Sequence, residues 1–142
     1  MRTPVPIPET KPATELMDEW RHEFDVPGRS FASLVPDVAY LSRDALEALG
    51  PSAAESPPRA PEVAVEILSR GESERDLAWK VDAYLRAGTL VVFVVDPPQR
   101  AVIAHDLGGS VRFGSGESVR HPALPGFAYA IEVMFEGLYL GD

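Results

Sequence analysis

Three side chains carry the chemical interest of this sequence: Asp37, Glu66 and Lys80. Cation-assisted hydrolysis of a phosphodiester needs two or more carboxylate oxygens to hold the metal. It also needs a nearby cation or base to position water and offset developing charge. Two acids and an ammonium supply those roles. Glu66 stands near the end of an otherwise apolar stretch, where a carboxylate is costly to bury unless paired or ligated. Lys80 is conspicuous by composition: of 13 basic residues only two are lysines, the other being Lys11. Each residue also has a plainer reading. Asp37 follows Pro36 as turn aspartates often do, Glu66 could sit solvated on an exposed sheet face, and Lys80 could lie along a helix flank and pair with Asp76 four residues earlier.

The elements that must position these groups can be read from periodicity and punctuation. Phe31 to Leu41 reads as a strand in which Val35, Asp37, Ala39 and Leu41 share one face. Glu62 to Leu68 reads as a second strand, with Val63, Val65 and Ile67 on an apolar face and Glu62, Ala64, Glu66 and Leu68 on a face that carries carboxylates. The clearest helix runs from about Ser73 to Ala87, opened by Ser73-Glu74-Arg75-Asp76 and closed by Gly88. On it Leu77, Val81, Tyr84 and Leu85 form one buried arc; Lys80 falls about 90° from its centre, and Trp79 points away from it. Leu90 to Val95 is a β-branched run of the kind covered on both faces, ending at Asp96-Pro97-Pro98. Strand, helix, strand from Val63 to Val95 predicts a βαβ crossover.

Around this centre, Thr14 to Phe24 has Leu16, Met17, Trp20 and Phe24 at roughly helical spacing and predicts a short amphipathic helix. Ser42 to Leu49 predicts a second short helix, capped by Ser42 and ended by Gly50. Pro51 to Pro61 is a loop. Ala101 to Asp106 and Ser110 to Phe113 form a hairpin about Gly108-Gly109. Residues 1–13, with Pro4, Pro6, Pro8 and Pro12, read as an extended tail, leaving 14–142 as one domain.

Six stretches in order resemble the Uma-type putative restriction endonuclease family, a branch of the PD-(D/E)XK nuclease superfamily. They are Pro36-Asp37-Val38-Ala39-Tyr40; Pro61 to Ser69; Arg75-Asp76-Leu77 with Lys80, Tyr84 and Gly88; Val94-Val95-Asp96-Pro97; Leu124-Pro125-Gly126-Phe127; and Met134-Phe135. The resemblance covers roughly Phe24 to Leu138. It implies an α/β fold, a restriction-endonuclease-like mixed sheet flanked by helices, and a DNA endonuclease dependent on Mg²⁺ or Mn²⁺. Asp37 and Glu66 would match the metal-holding acids, the carbonyl of Ile67 would be a further ligand, and Lys80 would supply the cation. Two departures accompany it. Leu68 stands where the superfamily pattern has lysine, two residues after Glu66, so the charge must come from Lys80 on the helix. The family's leading helix and hairpin, with a further glutamate near an E-x-x-x-G-E stretch, have no counterpart here; the chain reads as starting late.

Composition bounds these readings. Thirteen basic against 22 acidic residues give a net charge of −9, and no basic cluster tracks a phosphate backbone, which excludes a nucleic-acid coat protein. Without cysteine there is no disulfide and no thiolate metal site, so any metal sits on oxygen or imidazole. His22, His105 and His121 lack the spacing of a shared site. No apolar run is long enough to span a membrane and no signal peptide is visible, so the cytoplasm is the expected setting. The alternative to an endonuclease is a truncated, catalytically inactive nuclease-fold module. It would dimerise or bind protein through the N-terminal helix and Trp79, and in either case a homo-oligomer is expected.

Overall fold

The computed structural model describes residues 14–18, 21–28, 32–50 and 57–138. Strand β1 (Thr14–Asp18) is followed by a hairpin of β2 (His22–Phe24) and β3 (Ala32–Leu34), then by β4 (Val38–Ser42) and helix α1 (Arg43–Leu49). Next come β5 (Val63–Ile67), α2 (Glu74–Arg86), β6 (Val91–Asp96), β7 (Ala101–Asp106) and β8 (Gly109–Phe113). A two-residue pair, β9 (Ser118–Val119) with β10 (Tyr129–Ala130), precedes α3 (Ile131–Leu138).

Six strands form one mixed sheet in the order β1-β4-β5-β6-β7-β8. β5 and β6 pair in parallel, with α2 as the connection, and the other neighbours in this sheet pair antiparallel. This is the mixed sheet flanked by helices expected from the sequence. β6 lies at its centre: Val91 to Val95 are all buried, because side chains of both parities meet a covering layer. On one face α2 and the β2–β3 hairpin pack Tyr84, Val81, Ala83, Phe24 and Ala32 against Ala64, Val92 and Val94. On the other face α3 and β9 bring Ile131, Phe135 and Val119 against Val63, Val91, Phe93 and Val95.

Local chemistry fixes the two helices nearest the centre. Ser73 caps α2 by accepting from the Asp76 amide at 3.0 Å, and Glu74 and Asp76 place negative charge at the positive end of its dipole. Gly88 follows the helix at φ 108°, a conformation in which other residues are strained. Ser42 caps α1 in the same way, through the Ala45 amide at 3.2 Å.

Three expectations are corrected. Residues 14–18 and 22–24 are extended where a helix was predicted: Thr14–Asp18 pairs along all of β4, and His22–Phe24 pairs with β3. Four apolar residues are too few to fix a helical period, and the open edge of β4 has backbone groups that an added strand satisfies. The helical interface proposed for a dimerising module is therefore absent, while residues 19 and 20, including Trp20, lie outside the described set. Second, Phe31 to Leu41 is not one strand. Pro36 interrupts it, so β3 joins the small hairpin, β4 joins the main sheet, and Asp37 falls in the bend between them. The carboxylate-bearing face of β5 is covered, which decides between the two readings of Glu66: Ala64 and Glu66 lie beneath α2. Last, the hairpin turn is Leu107-Gly108, and Gly109 already begins β8. The Pro-rich residues 1–13 and residues 51–56 of the predicted loop lie outside the described residues.

Candidate active site

Asp37 and Glu66 come together where β4 starts and β5 ends. The ladder between the two strands runs from Tyr40 opposite Val63 to Val38 opposite Val65. One step further, the Asp37 carboxylate replaces a backbone acceptor: Oδ2 takes a hydrogen bond from the Ile67 amide at 2.6 Å. The opposite end closes in the same manner, with Glu62 Oε1 accepting from the Ser42 amide at 2.5 Å. Asp37 is thus tied to β5 at the residue after Glu66.

Glu66 is 4% exposed, the only buried acid among the described residues. It faces α2, where Lys80 and Tyr84 occupy successive turns of one side. The Tyr84 hydroxyl donates to Glu66 Oε2 at 3.1 Å, and Lys80 Nζ stands 3.6 Å from Oε1. Burial pushes the Glu66 carboxyl above its usual range; the charges of Asp37 and Glu72 push it further, while Lys80 and the Tyr84 hydroxyl oppose. The net effect is a carboxylate held at a cost, next to a second carboxylate that repels it. Tyr84 is itself held above its ordinary value, first by burial and then by the Glu66 charge, so it is a neutral donor.

Lys80 has a second partner that its sequence position does not suggest. Nζ lies 2.9 Å from Glu72 Oε2, and the side chain is 31% exposed. Its ion-pair partners are Glu66 and Glu72, and not the Asp76 of the plainer reading. Burial works against the ammonium, but the two carboxylates outweigh it and hold the pKa above the usual lysine value. Glu72 belongs to a turn in which its amide donates to the Ser69 carbonyl at 3.2 Å. Gly71 supplies the φ of 93° that this turn requires. The turn borders a cleft of about 630 Å³ between the start of α2 and the β6–β7 connection, lined also by Leu68, Asp96, Pro97 and His105.

The structure thus brings Asp37, Glu66, Ile67 and Lys80 to one place, and adds Tyr84 as a hydrogen-bond donor and Glu72 as an ion-pair partner. Tyr84 was legible as a core residue but not as a partner of Glu66. Glu72 was missed because no periodicity links a turn residue to Lys80; its one signal is position, in the short connection that returns from the Glu66 strand to the Lys80 helix. The histidines lie elsewhere. His22 is fully buried with Nδ1 3.0 Å from the Arg59 carbonyl, and His121 pairs through Nε2 with Asp106 at 2.7 Å. Leu68 packs partly buried against the α2-side core.

Comparison with known proteins matches residues 10–133 to the family Uma2, described as putative restriction endonuclease. The chain belongs to the Uma2 family. The fold of this Uma2 chain is similar to the crystal structure of a putative nuclease belonging to DUF820 from Anabaena variabilis ATCC 29413. The TM-score is 0.74 at 20% identity, over 89% of this chain and 70% of that one. No curated protein matches the Uma2 chain. Among its described residues no helix is long and apolar enough to cross a membrane. Nor do three or more His, Asp or Glu side chains among them converge as a ready-made metal cage.

Proposed function

We propose that the protein is a metal-dependent endonuclease that hydrolyses phosphodiester bonds of DNA in the cytoplasm. The observation that carries this reading is Glu66: a buried carboxylate, disfavoured in its charged form, set beside Asp37 and within 3.6 Å of an ammonium. Buried charge of this kind is common where chemistry is done. The donor set fits a hard divalent cation, because every available ligand is oxygen and the repulsion between Asp37 and Glu66 is relieved by positive charge between them. Asp37, Glu66 and the Ile67 carbonyl would hold Mg²⁺ or Mn²⁺. Such a cation supplies Lewis acidity to the phosphoryl group and to water.

The remaining roles fall to this chain's own groups. Lys80 positions the attacking water and offsets negative charge as the new oxygen–phosphorus bond forms and the bond to the leaving sugar oxygen breaks; the attacking water gives up a proton to solvent and the leaving oxygen takes one from solvent. Tyr84 fixes the rotamer of Glu66. With a net charge of −9 the protein binds free DNA weakly, so metal, or a basic partner, is a requirement for engagement. One such site cuts one strand per encounter, and a homo-oligomer would present two.

Nicking of supercoiled plasmid with Mg²⁺ or Mn²⁺ tests the reading. Activity that disappears with EDTA and with Glu66→Gln is the expected result. Equal nicking by wild type and Glu66→Gln removes Glu66 from the mechanism, and absence of both nicking and Mn²⁺ binding favours the inactive module.

A further inference from the structure

Lys80 touches Glu72 more closely than it touches Glu66, at 2.9 Å against 3.6 Å. The Glu72 side chain is only 12% exposed, so the contact is held within the protein and not spread over a solvated surface. With Glu66 alone to pair with, the ammonium would settle on that carboxylate and compete with any metal ion for it. A second carboxylate changes this balance. It stands on the Ser69–Glu72 turn, outside both strands that carry the candidate metal ligands.

We propose that Glu72 is a positioning residue that draws the Lys80 ammonium off Glu66, leaving Glu66 Oε1 open to a divalent cation while keeping Lys80 beside it. The inference rests on the metal-dependent reading above and deepens it: the lysine of this site is shared between a ligand carboxylate and a holding carboxylate. Loss of Glu72 lets Lys80 close onto Glu66. Loss of the ammonium frees Glu66 whether Glu72 is present or not.

Mn²⁺ affinity of the full chain, read by electron paramagnetic resonance without DNA, tests this through a double-mutant cycle. Glu72→Gln is expected to weaken Mn²⁺ binding by about fivefold or more, and Lys80→Met to strengthen it. Methionine keeps much of the apolar stem of lysine in place. In the Lys80→Met background, Glu72→Gln is expected to change the affinity by less than about twofold. Equal weakening in both backgrounds shows that Glu72 acts as a plain nearby charge and overturns the proposal, as does an unchanged affinity in Glu72→Gln alone. Failure of the wild type to bind Mn²⁺ overturns the metal-dependent reading together with this one, which separates the two failures. A metal-free readout is also to hand, because only two lysines contribute to a lysine ¹⁵N spectrum. Glu72→Gln should move the Lys80 signal more than Glu66→Gln does, and the reverse order overturns the proposal.

Discussion

The Tyr84 hydroxyl donates to Glu66 Oε2 across 3.1 Å, joining the most buried large side chain of α2 to the only buried acid among the described residues. Core packing and site chemistry therefore share one residue. The Tyr84 ring lies 6.1 Å from that of Phe24, with the two rings tilted, so the hairpin, the helix and the candidate ligand form one packed unit.

Tyr84→Phe keeps the ring and removes the donor. Glu66 then loses a hydrogen bond in a buried setting, which costs about 1–2 kcal/mol of stability in urea unfolding. Mn²⁺ affinity should fall by less than in Glu66→Gln, because the ligand remains and only its orientation is loosened.

Glu66→Gln should stabilise the metal-free protein at neutral pH. A carboxyl whose folded pKa is raised above its ordinary 4.5 leaves the native state binding more protons than the unfolded state, so wild-type stability falls as pH rises through that window. The neutral isostere escapes this loss. Urea unfolding at pH 8 is expected to show the variant more stable than the wild type, with the difference closing as pH drops below about 4.5. Greater wild-type stability at pH 8 contradicts the cost assigned to this buried charge.

Asp37→Ala and Asp37→Asn should separate structure from chemistry. Alanine leaves the Ile67 amide without its acceptor and costs about 1–2 kcal/mol. Asparagine can accept the same bond through its amide oxygen and should fold nearly as well, yet lose about a hundredfold in metal-dependent nicking. Full activity in Asp37→Asn removes Asp37 from the ligand set.

His22 predicts an acid-side transition away from the site. Burial lowers its pKa from 6.5 to about 4, so the unfolded chain takes up a proton that the native state refuses. Its contribution is fully present above pH 6.5 and is lost as pH falls through about 4, amounting to about 3 kcal/mol across that interval. Urea unfolding at pH 7 and pH 4.5 should show a smaller drop for His22→Gln than for the wild type, and an NMR titration should show His22 neutral at pH 5.5.

The parts of the fold that the sequence made legible are those fixed by local chemistry. Ser73, Gly88 and the apolar arc between them mark α2, and the β-branched run marks β6, because capping and burial act within a few residues. Glu66 and Lys80 stood out as anomalies: a charge inside an apolar strand and a lysine in an arginine-rich chain. What escaped was decided at a distance. Thr14–Asp18 was extended because β4 offered an edge, and Glu72 met Lys80 because β5 and α2 are packed together. Pro36 was visible as a break, yet the apolar alternation on either side of it suggested one continuous strand.

The β4–β5 ladder is sealed at both ends by side chains, Asp37 to the Ile67 amide and Glu62 to the Ser42 amide. A slip of one residue would turn Glu66 to the opposite face of the sheet, away from Lys80 and Tyr84. With the alignment secured by these two clasps, the peptide running from α1 to β5 is relieved of any duty in setting it. Changes of length and composition there are expected to leave the site in register, whereas loss of a clasp acceptor would loosen the alignment at that end of the ladder.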